Sequence, residues 1–227
     1  MHRLLAASLL VLAATLPASA DAVLEKAKSV SKEGPLYIYD LDYSDGADQF
    51  RMTVDQSQPN GQRVVKFAPA VATLDGDAAK KADKLVKSTV GDIWCSSFAE
   101  NIPANAKRIS ETASAATYSF TPLPGKQKGQ VAAAYKFLNG TATIHKSTGA
   151  ILAYEMVSPK AFKPLPVAKV DKLTMKVACK AAPDGRTYVD SLAFDLKGSA
   201  MMKSLDQKEI RKITNLKPLA APGFGAP

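Results

Sequence analysis

The stretch Tyr37-Ile38-Tyr39-Asp40-Leu41-Asp42-Tyr43-Ser44 decides the fold class. Tyr37, Tyr39, Leu41 and Tyr43 fall on one side of an extended chain, and Asp40, Asp42 and Ser44 fall on the other. A period of two with one apolar face is the pattern of a half-buried strand. Asp45-Gly46 then turns the chain. Phe50, Met52 and Val54 alternate with Arg51, Thr53 and Asp55 in a second strand. Pro59-Asn60-Gly61 turns it again into a third strand around Val65 and Phe67, which completes a meander.

Upstream, residues 21–30 read as a helix with Val23, Leu24, Ala27 and Val30 on one face, stopped by Gly34-Pro35. Downstream, Asp77 is a plausible N-cap for a helix over Ala78–Val90 that could run on through Ile93, Trp94 and Phe98. Beyond residue 107 strands dominate. Ala116, Tyr118 and Phe120 alternate, and a polar loop covers 124–130. The runs 131–138, 141–146 and 150–157 follow. Asn139-Gly140 between apolar runs is a hairpin signal, with Gly140 inside one long strand as the alternative. Residues 158–166 read as a proline-broken loop. Residues 169–181 fit a strand or a helix face; the Pro183-Asp184-Gly185 turn favours a strand. Leu192, Phe194 and Leu196 alternate cleanly. Residues 204–216 fit a short helix or a closing strand.

The fold class is therefore α+β: a curled, half-barrel-like antiparallel sheet with two helices packed on one face. The domain organisation is a signal peptide at 1–20, a single domain at 21–216 and a disordered Pro/Gly/Ala-rich tail at 217–227. Arg3, the apolar run Leu4–Leu16, Pro17 and Ala18-Ser19-Ala20 occur in the order of a secretory signal, with cleavage before Asp21. The apolar run is shorter than the roughly 20 residues a membrane span needs. Export to a bacterial periplasm, or to the extracellular space, is expected.

The full chain carries a formal charge of +9. Without Arg3, 29 Lys and Arg against 21 Asp and Glu leave +8 on the 207 residues after the signal. Export argues against nucleic acid as the reason for that charge. An anionic membrane surface and a plain solvated lysine face are the remaining readings. Cys95 and Cys179 are the only cysteines, and an even count in an oxidising compartment favours one disulfide over two buried thiols.

Known chemistries find little support. His145 is the only histidine after the signal, which excludes a His-rich metal site. Asp40–Asp48 is rich in carboxylates, but the calcium-loop glycine and the closing glutamate are misplaced. Ser29-Val-Ser-Lys32 matches a penicillin-binding signature by its four residues alone, without the accompanying motifs. No catalytic residue, cofactor or metal is assigned. Asn139-Gly-Thr141 is a formal glycosylation sequon, for which a turn is the simpler reading.

The aromatic and methionine residues on strand faces form the candidate ligand lining: Tyr37, Tyr39, Phe50, Met52, Tyr118, Phe120, Tyr154, Met156, Met175 and Phe194. Core packing explains any one of them. Together they mark an apolar face that two helices would not cover fully.

The element order, the Tyr-Ser-Phe-Thr-Pro run at 118–122 and Leu138-Asn-Gly-Thr-Ala-Thr-Ile-His-Lys-Ser-Thr-Gly149 resemble the outer-membrane lipoprotein carrier superfamily (LolA/LolB-like). The resemblance covers the architecture of most of 21–216 and carries over no functional residue. It implies a half-barrel that binds a lipid or acyl group, or an acylated protein, without catalysis. Two rivals stand beside it. One is an envelope structural or protein-interaction module without a small ligand. The other is a hydrolase in which Asp40, Asp42 or other carboxylates converge in a cleft.

Overall fold

The computed structural model describes residues 21–219. The expectations for the signal peptide at 1–20 and for the tail from 220 onward lie outside the described residues. The elements run α1 (Ala22–Ser29), β1 (Tyr37–Ser44), β2 (Gln49–Asp55), β3 (Val64–Ala68), α2 (Gly76–Ser88), a 3-10 helix Cys95–Asn101, β4 (Lys107–Glu111) and β5 (Ala115–Phe120). Then come α3 (Gly129–Ala134), β6 (Asn139–His145), β7 (Ile151–Val157), β8 (Phe162–Leu165), β9 (Ala168–Ala181), β10 (Thr187–Ala200) and β11 (Lys203–Pro218).

All eleven strands join one open antiparallel sheet in the order β3-β2-β1-β11-β10-β9-β7-β6-β5-β4, with β8 pairing β9 off that path. The chain is thus two meanders joined at their far ends. β11 lies antiparallel to β1, with Leu41 opposite Ile213 and Tyr43 opposite Arg211. That pairing puts the apolar faces of both meanders on one side, because directly opposed residues share a face.

The apolar residues gather in two cores on that side. One contains Tyr37, Tyr39, Leu41, Phe50, Met52 and Val54 of β1 and β2, with Ala82 and Leu85 of α2 and Trp94. The other contains Tyr118, Phe120, Ala142, Ile144, Tyr154 and Met156 of β5–β7, with Leu24 and Ala27 of α1 and Cys95 and Ala99 of the 3-10 helix. Alanine at 27, 82 and 99 allows the helical backbone to approach the sheet closely.

Several local expectations change. α2 begins at Gly76 after Asp75, two residues earlier than an Asp77 cap implies, and it ends at Ser88. Trp94 and Phe98 belong to the separate 3-10 segment and its cap, because the chain is already extended at Thr89 and Gly91 then takes φ +72°. Residues 131–138 are not extended: α3 and a 3-10 turn at Tyr135–Phe137 occupy them. Alanine-rich Val131–Ala134 has good helix propensity, which outweighs the apolar run.

Asn139-Gly140 is not a turn. Gly140 sits within β6 opposite Phe120, and a Cβ there would lie 2.4 Å from the Phe120 ring. The glycine serves close approach. The 158–166 loop contains the short strand β8. Residues 169–181 and 204–216 are both strand, and β11 runs past 216, with Lys217 and Pro218 opposite Ile38 and Tyr37.

Asp21, the residue after the expected cleavage point, is built into the fold. Its carboxylate accepts from the Val23 amide at 3.0 Å, capping α1. It also accepts from the Tyr118 hydroxyl at 2.9 Å and from Arg108 at 2.8 Å. Burial works against its ionisation, but the bonds from Tyr118, Arg108 and Val23 outweigh it and hold the carboxyl below its usual range. Lys26 of α1 donates to the Ser147 carbonyl in the β6–β7 turn at 2.8 Å.

Cys95 and Cys179 form a disulfide across 84 residues. It fastens the 3-10 helix to β9. Replacing both cysteines by alanine should lower stability by about 4.5 kcal/mol, the loop-entropy value for a closure of this length. Denaturant melts of the double variant against the oxidised protein check this.

Candidate functional site

The two cores adjoin at Val189, which packs against both. β9, β10 and β11 run between them; Val177 and Ile213 are buried, but other inward side chains of these strands are only half covered. Leu173, Met175, Leu192, Phe194 and Leu196 are all of intermediate exposure. Strand alternation places them on the same face as Tyr39, Leu41 and Tyr154, since Met175 opposes Met156 and Phe194, and Val177 opposes Tyr154 and Leu192.

Three adjoining cavities follow this uncovered strip. The middle one, of about 200 Å³, is walled by Tyr39, Leu41, Ile93, Phe98, Val189, Leu192 and Ile213, with Asp92 and Arg211 at its edges. A second, of about 300 Å³, shares Asp92 and Phe98 with it and continues to Tyr135, Met156 and Met175. A third, of about 390 Å³, shares Ser88 and Arg211 with it and continues past Phe194 to Tyr43, Lys81 and Lys84. The shared residues place the three in a row across the sheet, a segmented groove bounded by α2 on one side and the 3-10 helix on the other. Sites for small organic ligands occupy about 300–1,000 Å³, a size that the second and third cavities reach and the middle one does not.

The floor is apolar along β9 and β10, whereas β11 places Arg211 opposite Leu192 and Glu209 opposite Phe194 on the same face. Arg211 pairs with Glu209, and Asp92 accepts from the Trp94 amide at 3.3 Å and from the Ser97 hydroxyl at 3.2 Å. Phe98 stacks on Tyr154 with centroids 4.9 Å apart, which sets the wall between the groove and the second core. Burial pushes the Tyr39 and Tyr154 phenols well above their usual range, so both stay neutral.

The predicted lining residues divide. Tyr39, Met156, Met175 and Phe194 border the groove, Tyr39 and Met156 while buried in the cores themselves. Tyr37, Met52, Tyr118, Phe120 and Tyr154 are buried core side chains. Phe50 is also core, packed against Tyr43 and Phe67, and touches a separate surface hollow near Ile210. Sequence reasoning missed Phe98, Leu192, Arg211 and Tyr135. The Leu192-x-Phe194-x-Leu196 alternation was the available signal for Leu192; nothing in the sequence marks the other three.

The carboxylates of 40–48 do not converge in a cleft. Asp40 and Asp42 alternate with Tyr39, Leu41 and Tyr43 and so lie on the sheet's opposite face. Asp40 accepts from Thr53 and Asn215, each at 2.8 Å, and Asp42 takes both nitrogens of an Arg51 fork at 2.6 and 3.1 Å. Asp45 and Asp48 both bind the Lys81 ammonium of α2. That lysine holds the position a cation would need. No cluster of metal-ligating side chains occurs among the described residues. His145 ends β6, its Nδ1 near the Ser147 and Thr148 hydroxyls of the following turn at 3.2 and 3.1 Å.

Comparison with known proteins returns nothing. No family model matches the chain, and no curated protein or solved structure is significantly similar to it. The functional reading therefore rests on the groove itself.

The Lys81 bridge fixes the α2 wall to the β1–β2 turn, and it titrates. Burial raises the Asp45 carboxyl, but the Lys81 hydrogen bond and the Asp48 and Ala47 amides outweigh it and hold the pKa at about 2. A depressed carboxyl adds stability that is complete above its unfolded value near 4 and disappears as pH falls through about 2. Asp45→Asn should therefore melt below the parent protein at pH 6, and the gap should close toward pH 2. Thermal melts of both proteins across that range provide the check.

Proposed function

We propose that this is an exported, non-enzymatic binding or carrier protein that holds a lipid or acyl-bearing ligand in the groove over β9–β11. The observation that carries the reading is the half-covered apolar strip between two filled cores. The Leu, Met and Phe side chains of β9 and β10 offer an acyl chain contact without demanding a hydrogen-bond partner, methionine adapts to irregular shapes, and the Arg211–Glu209 pair on β11 stands beside them for a polar end-group. Leaving such a strip open costs the fold about 25 cal/mol for each Å² of apolar surface kept in water, which a ligand would recover.

Three further features support it. Helical residues pack on one side of the open antiparallel sheet, the side on which a carrier of the kind the resemblance implies would hold its ligand. The disulfide suits an oxidising compartment, as the signal-like residues 1–20 do. No helix among the described residues is long and apolar enough to cross a membrane.

The delipidated protein should bind a fluorescent fatty-acid probe. Leu192→Trp fills the middle of the groove from an already half-exposed site and should weaken the probe by about tenfold, or 1.4 kcal/mol, with little change in melting temperature. Native mass spectrometry should find a co-purifying lipid that the variant lacks. Absence of probe binding by the parent protein would overturn the reading.

A further inference from the structure

The β10–β11 hairpin ends in a two-residue turn, since Ala200 pairs with Lys203. A turn of this length is easiest with positive φ at both central residues, which Asn-Gly or Gly-Gly adopt cheaply. Here the two are Met201 at φ 48° and Met202 at φ 64°. Both are exposed, 68% and 102% respectively, so neither contributes to either core. Two methionines in a backbone conformation that side chains disfavour, at the outermost point of a long hairpin, serve no evident folding purpose.

The β8–β9 turn lies alongside. The Met201 amide donates to the Val167 carbonyl at 2.9 Å, and Val167 is 63% exposed. Pro166, Val167, Met201 and Met202 thus form an apolar tip without a charged side chain. Lysines surround it. Residues 160–172 and 197–206 carry six lysines and two aspartates, a local charge of +4. Lys169, Lys172 and Lys197 have aspartate partners, whereas Lys160, Lys163 and Lys203 have no ion-pair partner among the described residues.

We propose that this tip docks on an anionic membrane surface. The methionines and Val167 enter the boundary between headgroups and acyl chains, and the flexible lysine stems bring their ammonium groups to the lipid phosphates. Charge decides against a second copy, whose tip would bring the same +4 to the contact. On the inner face, Leu205 opposes Gly198, and Leu196 opposes Leu173. These leucines continue the row of Phe194 and Met175, so an apolar track leads from the tip to the groove.

The test uses the chain from Asp21 to Pro227, which contains every described element. It should co-sediment with phosphatidylcholine vesicles containing phosphatidylglycerol, not with phosphatidylcholine alone, and should be released as salt is raised. M201N/M202G supplies residues that the turn accepts without strain, so its melting temperature should hold or rise. It should lose about tenfold in vesicle affinity, and K163E/K203E should lose at least as much. Fatty-acid probe binding should be unchanged in M201N/M202G, so a groove that binds no probe would count against the carrier reading and leave docking standing. Equal binding to both vesicle types, binding to neither, or parent-like binding by M201N/M202G would overturn the proposal.

Discussion

The pairing of β1 with β11 is the constraint on which the rest of the structure depends. It joins Tyr37–Ser44 to a strand that begins some 160 residues later and makes one sheet from two meanders. Closing so large a loop costs entropy that only long-range contacts can offset. The ladder of backbone hydrogen bonds and the burial of Ile213 beside Leu41 in the same core supply that compensation. The open sheet keeps two edges, β3 and β4, and the strands between them form a continuous inner surface.

The second constraint is supply of cover. α1 and the 3-10 helix bury the β5–β7 face, and α2 buries the β1–β2 face. Each helix is short, and α2 ends at Ser88. β9–β11 are the longest strands and pass between these layers, so inner residues such as Leu173, Met175 and Leu192 pack against one core yet stay half exposed. The groove is a consequence of that mismatch between strand length and helix length. The Cys95–Cys179 link and the Lys81 bridge hold the two walls at their distances from the sheet, each from one side.

Electrostatics divides the molecule in a useful way. The outer face of β1 and β2 spends its carboxylates on Arg51, Thr53 and Asn215. The inner face is apolar along β9 and β10 and carries the Arg211–Glu209 pair on β11. The surplus lysines gather at the far end of the β10–β11 hairpin, next to the strained Met201-Met202 turn.

Period-two alternation was legible without coordinates wherever a strand has one wet face. It identified β1, β2, β5, β10 and the apolar side of each, because backbone geometry fixes which side chains share a face. The residue order also pointed to the α+β class and to the cysteine pair. Local chemistry misled at Asn139-Gly140 and at 131–138, where a glycine needed for the Phe120 ring and an alanine-rich helix resembled a turn and a strand. Which of the ten apolar candidates line a groove was not legible at all. Tyr118 and Met175 carry the same signal in sequence; one lies under α1 and the other in the gap. Only tertiary structure decides that difference, because cover depends on where helices distant in sequence come to rest, and alternation records a face without recording what packs on it.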